Sequence, residues 1–294
     1  MKLQIVPILF ALVFGGAPFL PAEEEKPNPD LRLLSYNIHM WQIEVKKLAG
    51  IIKTAYADVV GLNEAWNGKK NEEIARELGY HVIYGGQKER NPPPAKSHSI
   101  KGYYMPQVLL TKHKVLESRC FNAMAAKEHP AFDPKVPVYR GGLLAVLETS
   151  EGRKFVVFVL HLHPWGDGKN EKMTTMRLAE MKGILGQLKP YQHLPIVILG
   201  DFNTRSHLDI KGGWKTTKEL ASREFSDLYR TLHPDVKEHP GLTCGEARID
   251  YIFYNKHFAP VEARVVEKEV FGSNGYEDSD HLGVWGGLRF RDKK

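Results

Sequence analysis

Short apolar runs divided by polar punctuation fill this chain, and their spacing predicts strands more often than helices. Leu31 to Asn37 reads as a first strand. Ile43 to Ala57 follows with Leu48, Ile51, Ile52 and Ala55 at helical spacing, and Asp58 to Glu64 reads as a buried strand through Val59, Val60 and Leu62. Ile74 to Leu78 predicts a short helix closed by Gly79, and Tyr80 to Tyr84 another strand. Further strands are expected at Gln107–Thr111, Gly142–Glu148, Phe155–Leu162, Pro195–Gly200, Ile249–Tyr254, Val261–Val270 and Leu282–Phe290. Met173 to Leu188 is the clearest helix, with Met181, Ile184, Leu185 and Leu188 on one face. Several strands follow one another without a helix between them, and no repeat period is visible. That pattern favours a sheet-rich α/β sandwich of two packed sheets over a doubly wound parallel sheet. Residues 23–30, EEEKPNPD, read as a linker, and residues 85–103 as a polar loop in which solvation is favoured over substrate contact.

Composition narrows the class. At 42% hydrophobic and 26% charged residues the chain falls outside the disordered and membrane ranges, and no second composition regime divides residues 31–294, so one domain is expected. Residues 1–22 have the order of a secretory signal: Lys2, a greasy stretch from Leu3 to Leu20, and Pro21-Ala22 before an acidic run. Pro7, Gly15, Gly16 and Pro18 count against an uncleaved anchor. The expected location is therefore secreted or periplasmic. Cleavage would remove only Lys2 among the charged residues and take the net charge from +6 to +5, a balance that attracts anions but equally serves solubility. The two cysteines, Cys120 and Cys244, exclude a clustered thiolate zinc site, and their spacing leaves their pairing open.

Six polar clusters stand where apolar runs hand over to loops: Ser35-Tyr36-Asn37, Asn63-Glu64, His161-Leu162-His163, Gly200 to Thr204, Arg248 to Tyr251, and Ser279-Asp280-His281. Taken singly, a carboxylate after a strand is more often a cap or a turn residue. Taken together, they supply what phosphoester hydrolysis needs. A hard cation such as Mg²⁺ or Mn²⁺ wants oxygen ligands, offered by Asn37, Glu64 and Asp280, and the remaining groups can activate water and neutralise developing charge.

These segments resemble the endonuclease/exonuclease/phosphatase superfamily, which includes pancreatic deoxyribonuclease, AP endonucleases, bacterial sphingomyelinases and inositol polyphosphate 5-phosphatases. The carriers are LLSYNIH, DVVGLNE, FVVFVLHLH, IVILGDFNT, RIDYIF and SDH, in the family's order from Leu31 to Phe290. The resemblance implies a four-layer α/β sandwich, with two packed mixed β-sheets flanked by helices, occupying residues 31–294. It implies that Asn37, Glu64 and Asp280 surround the metal. His281, oriented by Asp250, would act as acid/base partner of the attacking water or stabilise phosphate charge. Asp201 would position the water or a second metal, and Asn203 and His161 would hydrogen-bond phosphate oxygens. Arg140 resembles an arginine of bacterial members, and a purely structural role for it is an equal reading. AP endonucleases carry an aspartate where this chain has His39 and a tyrosine where it has His161. Both departures point towards the deoxyribonuclease and sphingomyelinase side. Gln107, in QVLLTK, stands where the family has an asparagine.

The expected function is a divalent-metal-dependent phosphodiesterase or endonuclease acting on a phosphoester substrate, as a monomer without an obligate protein partner. A sphingomyelinase-like phospholipid hydrolase and a sugar-phosphate phosphohydrolase are the alternatives within that chemistry. A catalytically silent phosphate-ligand binding protein is the alternative outside it. The His-x-His of His161 and His163 also occurs in metal-dependent amidohydrolases, but those need an eight-fold barrel rhythm that this pattern lacks. N-terminal sequencing of the exported chain is expected to begin at Glu23; an intact Met1 in the exported fraction would count against the leader.

Overall fold

Val59 and Val60 are neighbours on one strand yet belong to different cores, and that alternation builds the whole architecture. The computed structural model describes residues 28–88, 99–100, 103–122, 141–164, 171–211, 214–266 and 278–291. The expected leader, residues 23–27 of the linker and Arg140 lie outside them.

The first sheet takes its centre from β1 (Leu31–Asn37) and β2 (Val59–Asn63), which run parallel and are joined through helix α1 (Val45–Thr54). Helix α2 (Gly68–Leu78) follows, then β3 (His81–Lys88), β4 (Ser99–Ile100) and β5 (Tyr103–Thr111). With the late strands β12 (Phe258–Val265) and β13 (Val284–Phe290) the order is β12-β13-β1-β2-β5-β3, and β4 pairs with β5. The second sheet is built from β6 (Lys114–Asn122), β7 (Gly141–Glu148), β8 (Lys154–His161), β9 (Ile196–Asp201), β10 (Ser226–Asp227) and β11 (Asp250–Tyr254), in the order β10-β11-β9-β8-β7-β6. Its one parallel pair, β8 with β9, is joined through α3 (Glu171–Leu188), and the remaining ladders are antiparallel. Helices α4 (Lys215–Ser222) and α5 (Leu228–Leu232) lie in the connection from β9 to β11.

Three cores fill the layers. Leu33, Val59, Leu109, Val157, Val197, Leu199 and Ile252 meet between the sheets. Leu34, Tyr36, Val60 and Leu62 face the other way, against Leu48, Ile51 and Ile52 of α1 and Ile74 of α2. Val156, Phe158 and Ile198 cover the far face together with Met181, Ile184 and Leu188 of α3 and Leu220 of α4. The result is the expected helix, sheet, sheet, helix stack of two mixed sheets. No helix among the described residues is long and apolar enough to cross a membrane.

Where the elements depart from the apolar pattern, the reason is local. Helix α2 starts at Gly68, not at Ile74, because the Asn67 side chain caps it by accepting from the Lys70 N–H at 3.2 Å, and its first turn is wholly polar. Part of the stretch expected as a loop is strand: β3 continues to Lys88, and β4 forms against β5. Edge strands owe their existence to backbone pairing, which side-chain periodicity does not record. Strand β6 escaped notice for the same reason, since it is the edge of its sheet and alternates exposed Lys114, Leu116 and Ser118 with half-buried neighbours.

Gly200 illustrates how tightly β8 and β9 are apposed. Its φ is +139°, and a Cβ there would stand 1.9 Å from the Leu160 carbonyl oxygen, a backbone atom that cannot turn aside. Gly200→Ala is therefore expected to cost about 3 kcal/mol and to lower Tm by roughly 6–12 °C. Urea and thermal unfolding check this, and a Tm within about 1 °C of wild type would refute the packing argument.

Candidate active site

The polar site is the continuation of the core between the sheets. Along β1, β2, β8 and β9 the inward-facing positions are apolar, Ser35 excepted, until the face ends in Asn37, Asn63, His161 and Asp201, and antiparallel β11 begins at the same rim with Asp250. Asn37 pairs with Asn63 in the register of one parallel pair, and His161 with Asp201 in the other, so both pairs deliver their ends to one rim. The Asn63 amide closes the seam between them. Its Nδ2 donates to the Leu160 carbonyl at 2.8 Å, and its Oδ1 accepts from the Asp201 N–H at 3.0 Å, so one side chain of the first sheet satisfies backbone groups of the second. Gly61, two residues earlier on the same face, makes room for Leu199 of the opposite sheet.

Asp201 is the hub. Its Oδ2 accepts from Asn37 Nδ2 at 3.1 Å and lies 3.3 Å from His161 Nε2, while Oδ1 accepts from the Asn203 N–H at 2.8 Å. Burial opposes ionisation of Asp201, but His161, His281 and these donors outweigh it and hold the carboxyl well below the usual carboxylate range. Asn203 sits in the left-handed region at φ +48° and donates Nδ2 to the Leu162 carbonyl at 3.1 Å, which leaves its second amide proton for another acceptor.

His281 and Asp250 form the second unit. His281 Nδ1 stands 2.8 Å from Asp250 Oδ2, and its Nε2 lies 3.8 Å from Asp201 Oδ2. Burial by itself would lower the His281 pKa, yet Asp250, the Cys244 side chain and Asp201 raise it well above the ordinary imidazole value. Burial and the Asp201 charge push Asp250 up as well, so the pair holds a proton. Two hydroxyls fix the loops that carry this pair. Ser279 Oγ donates to the Asn37 carbonyl at 2.7 Å and accepts from the His281 N–H at 3.1 Å. Thr243 Oγ1 accepts from the Ile249 and Asp250 N–H groups, and the Thr243 carbonyl accepts from Leu282 N at 2.7 Å.

The sequence-derived metal trio is arranged less tightly. Asn37 Nδ2 is 3.4 Å from Glu64 Oε1, and Glu64 is held at φ +57° just past the end of β2. Asp280, an exposed residue, lies instead against His39, with Nδ1 at 3.3 Å, and His281, with Nε2 at 4.0 Å. Among the described residues the group of carboxylate and imidazole atoms that comes within 4.8 Å is Asp201, Asp250 and His281, a possible metal site in its own right. Its atoms are largely committed to one another, whereas Asn37, Glu64 and Asp280 offer oxygen atoms to a divalent cation, and the buried Nδ1 of His39 has no hydrogen-bond partner. The residues present fit such an ion.

Other residues fall outside the cluster or brace it. The backbone of His163 is bonded to Glu180 and Arg177 of α3. Gln107 is fully buried in β5, one residue along from the Leu62 to Val108 register pair and thus level with Asn63. Cys120 and Cys244 are free thiols. Thr243 carried no signal in the sequence, and Arg248 was legible only as part of RIDYIF. Its guanidinium makes four hydrogen bonds, to both oxygens of Asp209 and both of Asp227, with its charge 4.6 Å from the Tyr251 ring centre. This ties the loop after β9 to the start of β11, where Asp250 stands. Arg248→Met would leave the buried Asp227 without its guanidinium partner, while Asp209 keeps Arg230 at 2.9 Å, and is expected to cost about 3–5 kcal/mol in urea unfolding; a loss below about 1 kcal/mol would mean that the network is expendable.

Comparison with known proteins agrees with this geometry. The family model described as "Endonuclease/Exonuclease/phosphatase family" matches residues 34–281. A Caenorhabditis elegans protein, uncharacterized protein F14F9.5, is 31% identical over 136 residues, 35% of this chain, and the chain spans 43% of that curated relative's length. An endonuclease/exonuclease/phosphatase structure from Beutenbergia cavernae superposes with a TM-score of 0.67 at 20% identity, over 89% of this chain and 72% of that one. The human Nocturnin catalytic domain with bound sulfate does so with a TM-score of 0.66 at 19% identity, over 90% and 96%. With the family model spanning nearly all of the two-sheet domain and every polar rim residue inside it, this chain belongs to the endonuclease/exonuclease/phosphatase family.

Proposed function

We propose that the protein is a divalent-metal-dependent hydrolase of phosphate esters, exported from the cell and acting as a monomer, with a phosphodiester such as a polynucleotide as its substrate class. The observation that carries the reading is the convergence of Asp201, His161, Asp250, Asn37 and Glu64, from the ends of five strands, and of His281, from the segment before β13, onto one rim. Asn37, Glu64 and Asp280 would hold the cation. When bound, such an ion neutralises phosphoryl charge and makes water a better nucleophile.

The chain's own groups do the rest. Asp201, kept ionised by its donors, is a hydrogen-bond acceptor able to orient an attacking water. His281 has Nδ1 engaged by Asp250, so Nε2 is the nitrogen left to exchange a proton with a reacting oxygen or to donate to it. His161 and the second amide proton of Asn203 are the further donors for phosphate oxygens. Because the scaffold fixes these groups before substrate arrives, little reorganisation is needed at the moment of reaction.

The net positive charge favours a polynucleotide over a neutral headgroup. The test is hydrolysis of plasmid DNA, RNA, sphingomyelin, bis-p-nitrophenyl phosphate, inositol phosphates and sugar phosphates with Mg²⁺ or Mn²⁺. On whichever substrate turns over, His281→Ala and Glu64→Gln are each expected to lower kcat by about 10²–10⁴-fold, and EDTA to abolish turnover. A silent panel, or turnover that both variants leave unchanged, would favour a phosphate-binding protein.

A further inference from the structure

Asn71 takes no part in the chemistry just described, yet its side chain joins two strained segments beside the site. The first is the turn after β1, where His39, Met40 and Trp41 stand in the left-handed region at φ +39°, +60° and +63°. The second is the end of β2, where Glu64 stands at φ +57°. Residues with a Cβ are unfavourable in that conformation, so each segment persists only where its surroundings over-determine it. From the rim side the two are bridged by Asn37, whose Oδ1 accepts from the His39 N–H at 3.1 Å and whose Nδ2 lies 3.4 Å from Glu64 Oε1. From within they are bridged by Asn71, which is fully buried in α2. Its Oδ1 accepts from Trp41 Nε1 at 2.8 Å, and its Nδ2 donates to the carbonyl of Ala65, the residue after Glu64, also at 2.8 Å.

Both of these bonds are buried, so loss of the amide would leave the indole N–H and the Ala65 carbonyl unpaired away from water. The backbone on either side would then relax towards other partners, and Glu64 would leave its strained conformation. Resting on the metal-dependent reading above, we infer that Asn71 is a positioning residue that holds the Glu64 carboxylate against Asn37, in the place where it would meet the cation. The physical reason is population. A carboxylate on a relaxed loop spends only part of its time in the competent orientation, and apparent affinity for the ion falls by that fraction. The clamp removes this loss by ordering the ligand before the ion arrives.

The experiment is titration calorimetry of Mg²⁺ and Mn²⁺ into the EDTA-stripped protein, without substrate, alongside thermal unfolding. Wild type is compared with Asn71→Leu, with Trp41→Phe, which removes only the indole N–H, and with Asn255→Leu. Asn255 is a matched control at the end of the sheet away from the rim: it too is buried, accepting at Oδ1 from the Ile196 N–H at 3.0 Å and donating Nδ2 to the Leu194 carbonyl at 2.9 Å. Asn71→Leu is expected to weaken binding of both ions about tenfold at unchanged stoichiometry, and Trp41→Phe about threefold. Asn255→Leu is expected to lower Tm as Asn71→Leu does, yet to leave both affinities within about twofold of wild type. If Asn71→Leu does not fold, Trp41→Phe carries the same comparison. Affinities that stay within about twofold of wild type in the folded clamp variants, or an equal loss in Asn255→Leu, would overturn the role of Asn71 and leave the phosphohydrolase reading standing. Failure of wild type to bind either ion would overturn both.

Discussion

Everything at the rim depends on two sheets being held at one separation and one offset, and the Asn63 amide is the bond that holds them there. Buried between the parallel pairs, it satisfies a carbonyl of β8 and an N–H of β9 at once. An apolar residue at this position would leave both backbone groups unpaired in a dry core, where each costs on the order of 1–3 kcal/mol. Without that register Asp201 would not meet Asn37, and the two halves of the site would come from sheets free to slide.

The site is what the inter-sheet core becomes when the alternating face turns polar. Inward positions that pack Leu33, Val59, Val157 and Leu199 end in Asn37, Asn63, His161 and Asp201 on the same face of the same strands. Charge in such a place is expensive, so each group arrives with partners: Asp201 with three donors, Asp250 with His281, Arg248 with Asp209 and Asp227. The same low polarity that makes these partners necessary makes the remaining lone pairs and protons strong towards a ligand. Rigidity and reactivity thus have one source.

The central strands, α1, α3 and the two-sheet arrangement were legible because burial on one or both faces leaves a period in the apolar residues. Strands β4, β6 and β10 were not, since short or edge strands take their order from backbone pairing. In the site, the residues at strand ends were legible because several polar types recur where apolar runs stop. Thr243 was invisible, because a hydroxyl in a loop looks like any other until its carbonyl and side chain are seen to join the Asp250 strand to the His281 loop. Asn71, a polar residue within a helix, likewise gains meaning only from Trp41 and Ala65 on either side.

The sequence by itself determined which residues face inward, the family to which the motifs belong, and the set of groups that the rim would hold, because all of these follow from the order and chemistry of neighbours along the chain. The tertiary structure alone decided which of them touch. That Asp201 is the hub, that Asp280 lies against His39 and His281, and that Asn63 spans the seam all rest on contacts between residues far apart in sequence, for which local periodicity carries no information. Distance and direction between such groups arise only when the sheets pack, and the chemistry depends on both.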